Sequence, residues 1–390
     1  MLLTRLSVLL CFIAVVTTDH TAVHDMAQSN IAFAKKVYKV LAQGTTCSDM
    51  NSLVFSPLAI QAGLAATYTG SGGDTAKELV SGLSLNSKQL GRMPQGFSQA
   101  LPVILKEPRL RYASGLFADN TVNLLPEFQE STKEMFSTDV QKENFRDHPE
   151  AAVNDINQWA EQKAGGSARK LMEDGSVDSA TQLLLASAVR YDGVWRDPAV
   201  SPATSTKNKT YNLHYSGRML VGLLPDLKAY VIQIPHQLTP ESSKAKGLRL
   251  LLIAPIDAPD ALIELHKNLD KINFETLDEE LFAKDTQLLV TNLDLEYTYS
   301  MKEVLQKVGI VNLFDSSANL RGVAEGPLKM NDVLHTASIQ MQDERDASTD
   351  TDIFEDKNDN IIMALGSYIF ILQDPKTKAI VLMGRRGCFD

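Results

Sequence analysis

The chain has 390 residues, of which 44% are hydrophobic and 22% are charged, a balance that excludes disordered and fibrous proteins. Its formal net charge is −10 and no stretch concentrates Lys and Arg, so we expect no nucleic acid as a partner. The length allows one large domain or two smaller ones. No internal repeat, low-complexity tract or long linker divides the chain, which favours a single domain.

A basic residue and a short apolar run open the chain. Arg5 precedes the run from Leu6 to Val16, which only Ser7 interrupts. The run is too short for a transmembrane helix, which needs about 20 residues, and its basic flank is typical of a signal peptide. We therefore predict a signal peptide over residues 1–18 and a secreted, extracellular domain over residues 19–390, with no membrane span. The alternative is a buried N-terminal helix.

Two cysteines remain after residue 18, at Cys47 and Cys388. They lack the C-x-x-C spacing of a zinc site, so they either pair as a disulfide or stay free thiols. One acceptor sequence for an N-linked glycan starts at Asn208, within a polar stretch.

Two helices are predicted in the first part of the chain. Apolar residues recur at helical spacing between Ile31 and Leu41. Ser56 and Pro57 then open a second helix, because Pro is tolerated in the first turn, and the apolar pattern continues to Tyr68.

A glycine-rich turn follows at residues 70–73, and Thr75 and Glu78 stand at the spacing of a capping box for the next helix. The turn follows a helix rather than a strand and lacks the Gly-Lys-Thr/Ser ending of a phosphate-binding loop. We interpret it as a turn.

Later segments are predicted as strands and one helix. Residues 183–189 and 248–255 form apolar runs typical of buried strands, and residues 301–308 have helical spacing before a glycine. The short apolar runs 368–372 and 379–383 are joined by a turn-rich segment and predict a terminal hairpin.

The sequence carries no motif of a known catalytic or cofactor site. Its seven histidines stand at no metal-ligand spacing, and neither a G-x-S-x-G elbow nor a dinucleotide fingerprint occurs. We therefore predict that the protein is not an enzyme and holds no metal or cofactor.

Six segments, in order across some 330 residues, resemble the serpin family: Val54–Ile60, Gly73–Leu79, Ile156–Trp159, Ala188–Trp195, Val333–Ala337 and Met383–Arg385. The resemblance implies a monomer with one α+β domain, three β-sheets, eight or nine helices and an exposed reactive loop. It also implies a mechanism in which a protease cleaves the loop and forms an acyl-enzyme. The cut loop then inserts as a new strand of the main sheet.

The resemblance places the loop between Asp343 and Ser367 and implies a hinge at its start. The hinge residues are Asp343, Glu344, Arg345, Asp346, Ala347, Ser348, Thr349, Asp350, Thr351 and Asp352. Arg345 stands where the family has a glycine, and glycine gives the hinge its freedom to turn.

Side chains alternate between the two faces of a strand, and the resemblance implies that Asp346, Ser348, Asp350 and Asp352 would face the core after insertion. Burying an unpaired carboxylate costs on the order of several kcal/mol. We therefore expect that the protein does not trap proteases.

In that case it acts as a protease substrate or binds a basic protein surface. The first alternative is a working serine protease inhibitor that is cleaved at the basic bond Lys357–Asn358. The second is a carrier of a small ligand. Residues 87–106 contain only three bases, so we expect no heparin binding.

Four residues correspond to positions that control opening of the main sheet in the family. Ser56, Ser187 and His335 belong to the shutter, where the family usually has an asparagine at the position of Ser187. Trp195 corresponds to the breach tryptophan.

Overall fold

In the residues that it describes, the computed structural model contains two β-sheets and eight helices. The structure describes residues 2–43, 51–88, 90–165, 170–194, 212–234, 247–256, 261–291, 293–342, 361–364 and 367–387. This arrangement confirms the predicted single-domain α+β fold with eight or nine helices.

The helices are α1 Leu2–Leu41, α2 Pro57–Thr69, α3 Gly73–Gly82, α4 Met93–Ile104, α5 Pro126–Phe136, α6 Pro149–Ala164, α7 Ala261–Lys267 and α8 Lys302–Lys307. The strands are β1 Leu53–Phe55, β2 Leu110–Asp119, β3 Asp139–Glu143, β4 Leu183–Val194, β5 Asn212–Leu224, β6 Ala229–Gln233, β7 Arg249–Pro255, β8 Phe282–Thr291, β9 Asp294–Ser300, β10 Asp332–Gln342, β11 Ile361–Ala364, β12 Tyr368–Gln373 and β13 Ile380–Arg386.

Helix α1 is continuous across the boundary predicted after residue 18, and this boundary stays a prediction. From residue 22 onward one face of α1 is buried against the core, at positions such as Ala22, Phe33 and Val37. Within the described ranges, no helix combines the length and the apolar character needed to cross a membrane.

Helix α2 begins where the sequence predicted. The Ser56 side chain caps it by accepting a hydrogen bond from the backbone amide of Ala59 at 3.2 Å, and Pro57 is the first helical residue. The helix is buried over most of its length, so it forms the centre of the core rather than a surface layer.

The predicted capping box of α3 is wrong. Gly72 is the N-cap residue and makes no side-chain cap. The Thr75 hydroxyl instead accepts from the backbone amide of Asn319 at 2.9 Å, and the Glu78 carboxylate accepts from the amide of Val311 at 2.7 Å. Both side chains therefore tie α3 to a distant segment, which sequence spacing cannot reveal.

The five-stranded sheet has the order β3-β2-β4-β10-β9. Its two central strands, β4 and β10, pair in parallel, whereas β4 with β2 and β10 with β9 are antiparallel. A parallel pair needs a long connection, and here the chain between β4 and β10 contributes four strands, β5 to β8, to the eight-stranded sheet.

The eight-stranded sheet has the order β1-β13-β12-β7-β6-β5-β8-β11 and contains the predicted terminal hairpin, β12–β13. Three sheets were predicted, but the described strands form two continuous sheets. The long strand β5 explains the difference, because it pairs with β8 over residues 212–221 and with β6 over residues 220–224. It thereby joins β8 and β11 to the rest of the sheet.

Two apolar clusters fill the interior of the described part of the chain. The larger one includes α1, α2 and the hairpin β12–β13, together with one face of the five-stranded sheet. A smaller cluster lies on the opposite face of that sheet, where α6 packs through residues such as Ile156 and Trp159. We call these faces of the five-stranded sheet the core face and the front face.

Gly115 of β2 makes room for the front cluster. A Cβ atom there would lie 2.9 Å from both Trp159 Cζ2 and Phe117 Cε2, two rings that pack edge to face. We expect Gly115→Ala to lower the free energy of unfolding by about 1–3 kcal/mol, because the rings must shift. Gly91→Ala is the control, since its Cβ would meet nothing within 4 Å. Equal stability of both variants in urea would contradict this packing.

Candidate functional site

The chain leaves the five-stranded sheet at Gln342, the end of β10, and enters the eight-stranded sheet at Ile361, the start of β11. The predicted end of the loop at Ser367 is therefore wrong, because residues 361–364 pair in parallel with β8. We define the loop as residues 343–360. The predicted hinge, residues 343–352, and the bond Lys357–Asn358 lie outside the described residues.

We call the paired edge between β4 and β10 the seam. It contains eleven register pairs, from Asp332 opposite Leu184 to Gln342 opposite Val194. The loop starts at the C-terminal end of β10. If it folds back between the two strands, it runs antiparallel to β10 and therefore also antiparallel to β4. The seam thus has the polarity to accept its own loop with antiparallel pairing on both sides.

A buried histidine ties the seam on the core face. His335 Nδ1 lies 2.8 Å from the Ser187 hydroxyl oxygen across the seam, and the backbone amide of Ser56 donates to His335 Nε2 at 2.8 Å. The Ser56 hydroxyl donates to the carbonyl of Val381 in β13 at 2.6 Å. We call Ser56, Ser187 and His335 the latch. The structure brings together these three residues, which the resemblance had grouped.

The hydrogen bonds of the latch fix the protonation state of His335. Because Nε2 accepts from a backbone amide, the ring proton of the neutral imidazole lies on Nδ1 and is donated to Ser187. The ring has no exposed surface, and this burial lowers the pKa of His335 to about 3. The Tyr299 ring of β9 stacks on it with centroids 6.5 Å apart.

Two further buried hydroxyl groups lie beside the latch, and they were not predicted. Ser114 of β2 is the register partner of Ser187, and its hydroxyl lies 2.9 Å from that of Thr138. Both residues are buried. One signal was present in the sequence. Every second residue of β2 faces the core, and the polar Ser114 stands on that face between the apolar Leu110 and Leu116.

We call the end of the seam next to the loop the upper seam and the opposite end the lower seam. Side-chain packing and a hydrogen bond on the front face close the upper seam. A Cβ on Gly193 would overlap the sulfur of Met341, its register partner, so the methionine fills the space that the glycine leaves. On the front face, the Arg190 guanidinium donates to the Gln340 side chain across the seam at 3.3 Å. Trp195, the predicted breach residue, lies just beyond this described strand.

Helix α6 covers the front face of the lower seam. The front cluster joins Ile156 and Trp159 of α6 to Leu184 and Ala186 of β4 and Leu334 of β10. A strand that enters the seam there has to pass beneath this helix.

The remaining predicted site residues, Asn208, Cys47 and Cys388, lie outside the described residues, so the glycan and the disulfide stay predictions. In the part of the chain that the structure describes, no group of three or more His, Cys, Asp or Glu side chains is arranged to hold a metal ion.

The latch predicts a specific loss of stability in acid. The unfolded chain takes up a proton on His335 below its ordinary pKa of 6.5, whereas the folded protein resists until about pH 3. Stability therefore falls as the pH drops from 6.5 toward 3, by about 2 kcal/mol from this group at pH 5.

Urea unfolding of His335→Gln should reveal this contribution. The variant is less stable at pH 7, because it breaks the latch, but the difference from the unmodified protein narrows by about 2 kcal/mol at pH 5. Replacing the exposed His148 with Gln is the control. A difference that stays constant between the two pH values would show that His335 is not held neutral.

Comparisons with known proteins agree with this architecture. The family model described as serpin (serine protease inhibitor) matches residues 28–386. Leukocyte elastase inhibitor of Bos taurus is 27% identical over 335 residues, which cover 82% of this chain and 86% of the relative. Serpin B8 of Homo sapiens is 23% identical over 380 residues, which cover 93% of this chain and 98% of the relative.

Solved structures show the same fold. A crystal structure of maspin superposes with a TM-score of 0.79 at 21% identity and covers 94% of this chain and 99% of its own. Uncleaved ovalbumin gives a TM-score of 0.75 at 22% identity, with coverage of 92% and 98%.

The comparisons also correct one prediction. The expected secretion into the extracellular space is wrong, because the matched relatives, leukocyte elastase inhibitors and serpin B8, point away from it.

The match over residues 28–386 is supported by the order of the strands and by the latch at the centre of the parallel seam. The chain belongs to the serpin family.

Proposed function

We propose that the protein inhibits serine proteases by offering its loop as bait and taking the cleaved loop into the seam. The parallel pairing of β4 with β10, from whose open end the loop starts, is the observation that carries this proposal. An inserted strand replaces one parallel ladder with two antiparallel ones and adds the hydrogen bonds of a whole strand. The names of relatives such as leukocyte elastase inhibitor support the same function.

The length of the loop fits cleavage at Lys357–Asn358. Twelve residues, 346–357, lie between the hinge arginine and this bond, and the seam has eleven register pairs. The segment on the hinge side of the cut is therefore long enough to fill the seam. A lysine before the bond selects proteases with trypsin-like specificity, although Asp356 and Asp359 flank it.

A second candidate function is that of a cleaved substrate that does not trap its protease. The upper seam favours it, because its core face carries the buried residues Val189, Tyr191, Ala337, Ile339 and Met341. Core-facing aspartates of an inserted loop would meet these apolar side chains. Each buried carboxylate costs on the order of several kcal/mol, and insertion slower than hydrolysis of the acyl-enzyme releases the protease.

Incubation with trypsin and with leukocyte elastase tests the proposal. We expect an SDS-resistant complex in which the protease serine is esterified to the residue before the cleaved bond. Ser348→Pro is the control, because a proline within the inserting strand cannot donate to the ladder and prevents insertion, while the bond after Lys357 stays intact. Complete cleavage of the unmodified chain by both proteases without any complex would contradict inhibition by these enzymes.

Repair of the hinge separates the two candidates. The repaired chain carries Arg345→Gly, Asp346→Thr, Asp350→Ala and Asp352→Ala, which restore freedom to the hinge and remove three carboxylates from the inserting face. If the protein is an inhibitor, both chains form complex and the repaired one forms more.

Melting of intact and loop-cleaved protein provides the second readout. Insertion should raise the melting temperature of both cleaved chains. The substrate function is favoured if only the repaired chain forms the SDS-resistant complex and only its melting temperature rises on cleavage. Absence of stabilisation in both cleaved chains would show that the seam does not accept the loop.

A further inference from the structure

Helix α6 begins six residues after β3 ends and returns along that edge strand, because its C-terminal part is bound to the start of β3. At one end, Lys163 of α6 forms a salt bridge with Asp139 of β3, with Nζ and Oδ2 3.5 Å apart. Asp155 lies eight residues earlier on the helix, about 12 Å away, and Glu143 lies four residues later on the strand, about 13 Å away. These similar steps place Asp155 beside Glu143, close enough for its charge to act on the Glu143 carboxyl group.

The two ends of this contact therefore differ in charge. The C-terminal end of α6 is attached to β3 by opposite charges. In its N-terminal half, the carboxylate of Asp155 faces the carboxylate of Glu143 on β3. Asp155 is exposed and flanks the buried stripe of Ile156 and Trp159, while Glu143 is half-buried.

No base within the described ranges neutralises Glu143. Its own neighbour Lys142 turns its ammonium group to the backbone carbonyls of Val122 and Asp119. On the β2 side, the register partner of Glu143 is Asp119, another acid, whose carboxylate accepts from Thr121 and from the backbone amide of Arg146. Burial, followed by the charge of Asp155, raises the pKa of Glu143 to about 7.

We infer that the Glu143–Asp155 pair is a proton-sensitive contact that sets how firmly the N-terminal half of α6 is held against the five-stranded sheet. With both carboxylates ionised, their repulsion leaves α6 attached mainly by the Lys163 end and by its apolar stripe. Protonation of Glu143 removes the repulsion and allows a hydrogen bond between the two carboxyl groups.

The direction of the pH effect follows from the raised pKa of Glu143. The folded protein holds a proton that the unfolded chain, with an ordinary pKa of 4.5, has lost, so α6 is bound more firmly as the pH falls from about 7 toward 4.5. Above pH 7 the helix is looser. Because α6 shares the front cluster with Ala186 and Leu334 at the seam, the contact would make loop insertion easier at alkaline pH, a consequence that rests on the proposed function.

Hydrogen exchange on the intact, uncleaved protein tests the contact itself. After correction for the intrinsic effect of pH, amides of residues 150–157 should exchange on the order of tenfold more slowly at pH 6 than at pH 8. Glu143→Gln should exchange slowly at both pH values. Glu161→Gln, which alters an exposed carboxylate of the same helix, should keep the pH dependence.

A charge-reversal variant distinguishes loss of the repulsion from any other effect that the glutamine in Glu143→Gln has on packing. Asp155→Lys should turn the repulsion into an attraction and protect the same amides at pH 8. Equal exchange at pH 6 and pH 8 in the unmodified protein, or an unchanged pH dependence in Glu143→Gln, would overturn the inference. No protease is used, so these outcomes are independent of whether the protein is an inhibitor.

Discussion

The parallel pairing of β4 with β10 is the constraint on which the rest of the structure depends. It places two strands of the same direction side by side in a sheet whose other central pairings are antiparallel. The chain that leaves β10 at Gln342 can complete the antiparallel pattern only by returning between them. The loop, the latch and the covering helix α6 all lie at this pair of strands.

Different kinds of interaction close the seam on its two faces. On the core face, the neutral His335 connects Ser187 across the seam to Ser56, at the start of a buried helix, so the latch is anchored in the main core. On the front face, α6 lies over the seam through apolar contacts and is fixed to β3 by one salt bridge. Opening therefore requires loss of the parallel ladder and of the latch hydrogen bond, together with displacement of the helix, whereas an inserted strand supplies two new ladders.

Local features of the fold could be predicted from the sequence, and long-range ones could not. The cap at Ser56 and the terminal hairpin follow from neighbouring residues, and the structure confirms both. Thr75 and Glu78 had the spacing of a cap, yet tertiary partners took their hydrogen bonds. The latch was grouped by family resemblance alone, since periodicity cannot show that Ser187 meets His335, 148 residues away. The contribution of Ser114 depends on strand register, which a single sequence does not fix.

The most direct test of the central claim is the width of the five-stranded sheet before and after loop cleavage. Spin labels on Arg111→Cys of β2 and Asp294→Cys of β9, in a chain whose native cysteines are replaced by serine, flank the seam from exposed positions on the front face. Insertion of one strand should lengthen the distance between the labels by about 5 Å, the spacing of neighbouring strands. An unchanged distance in fully cleaved protein would contradict the account, because the seam would then have remained closed.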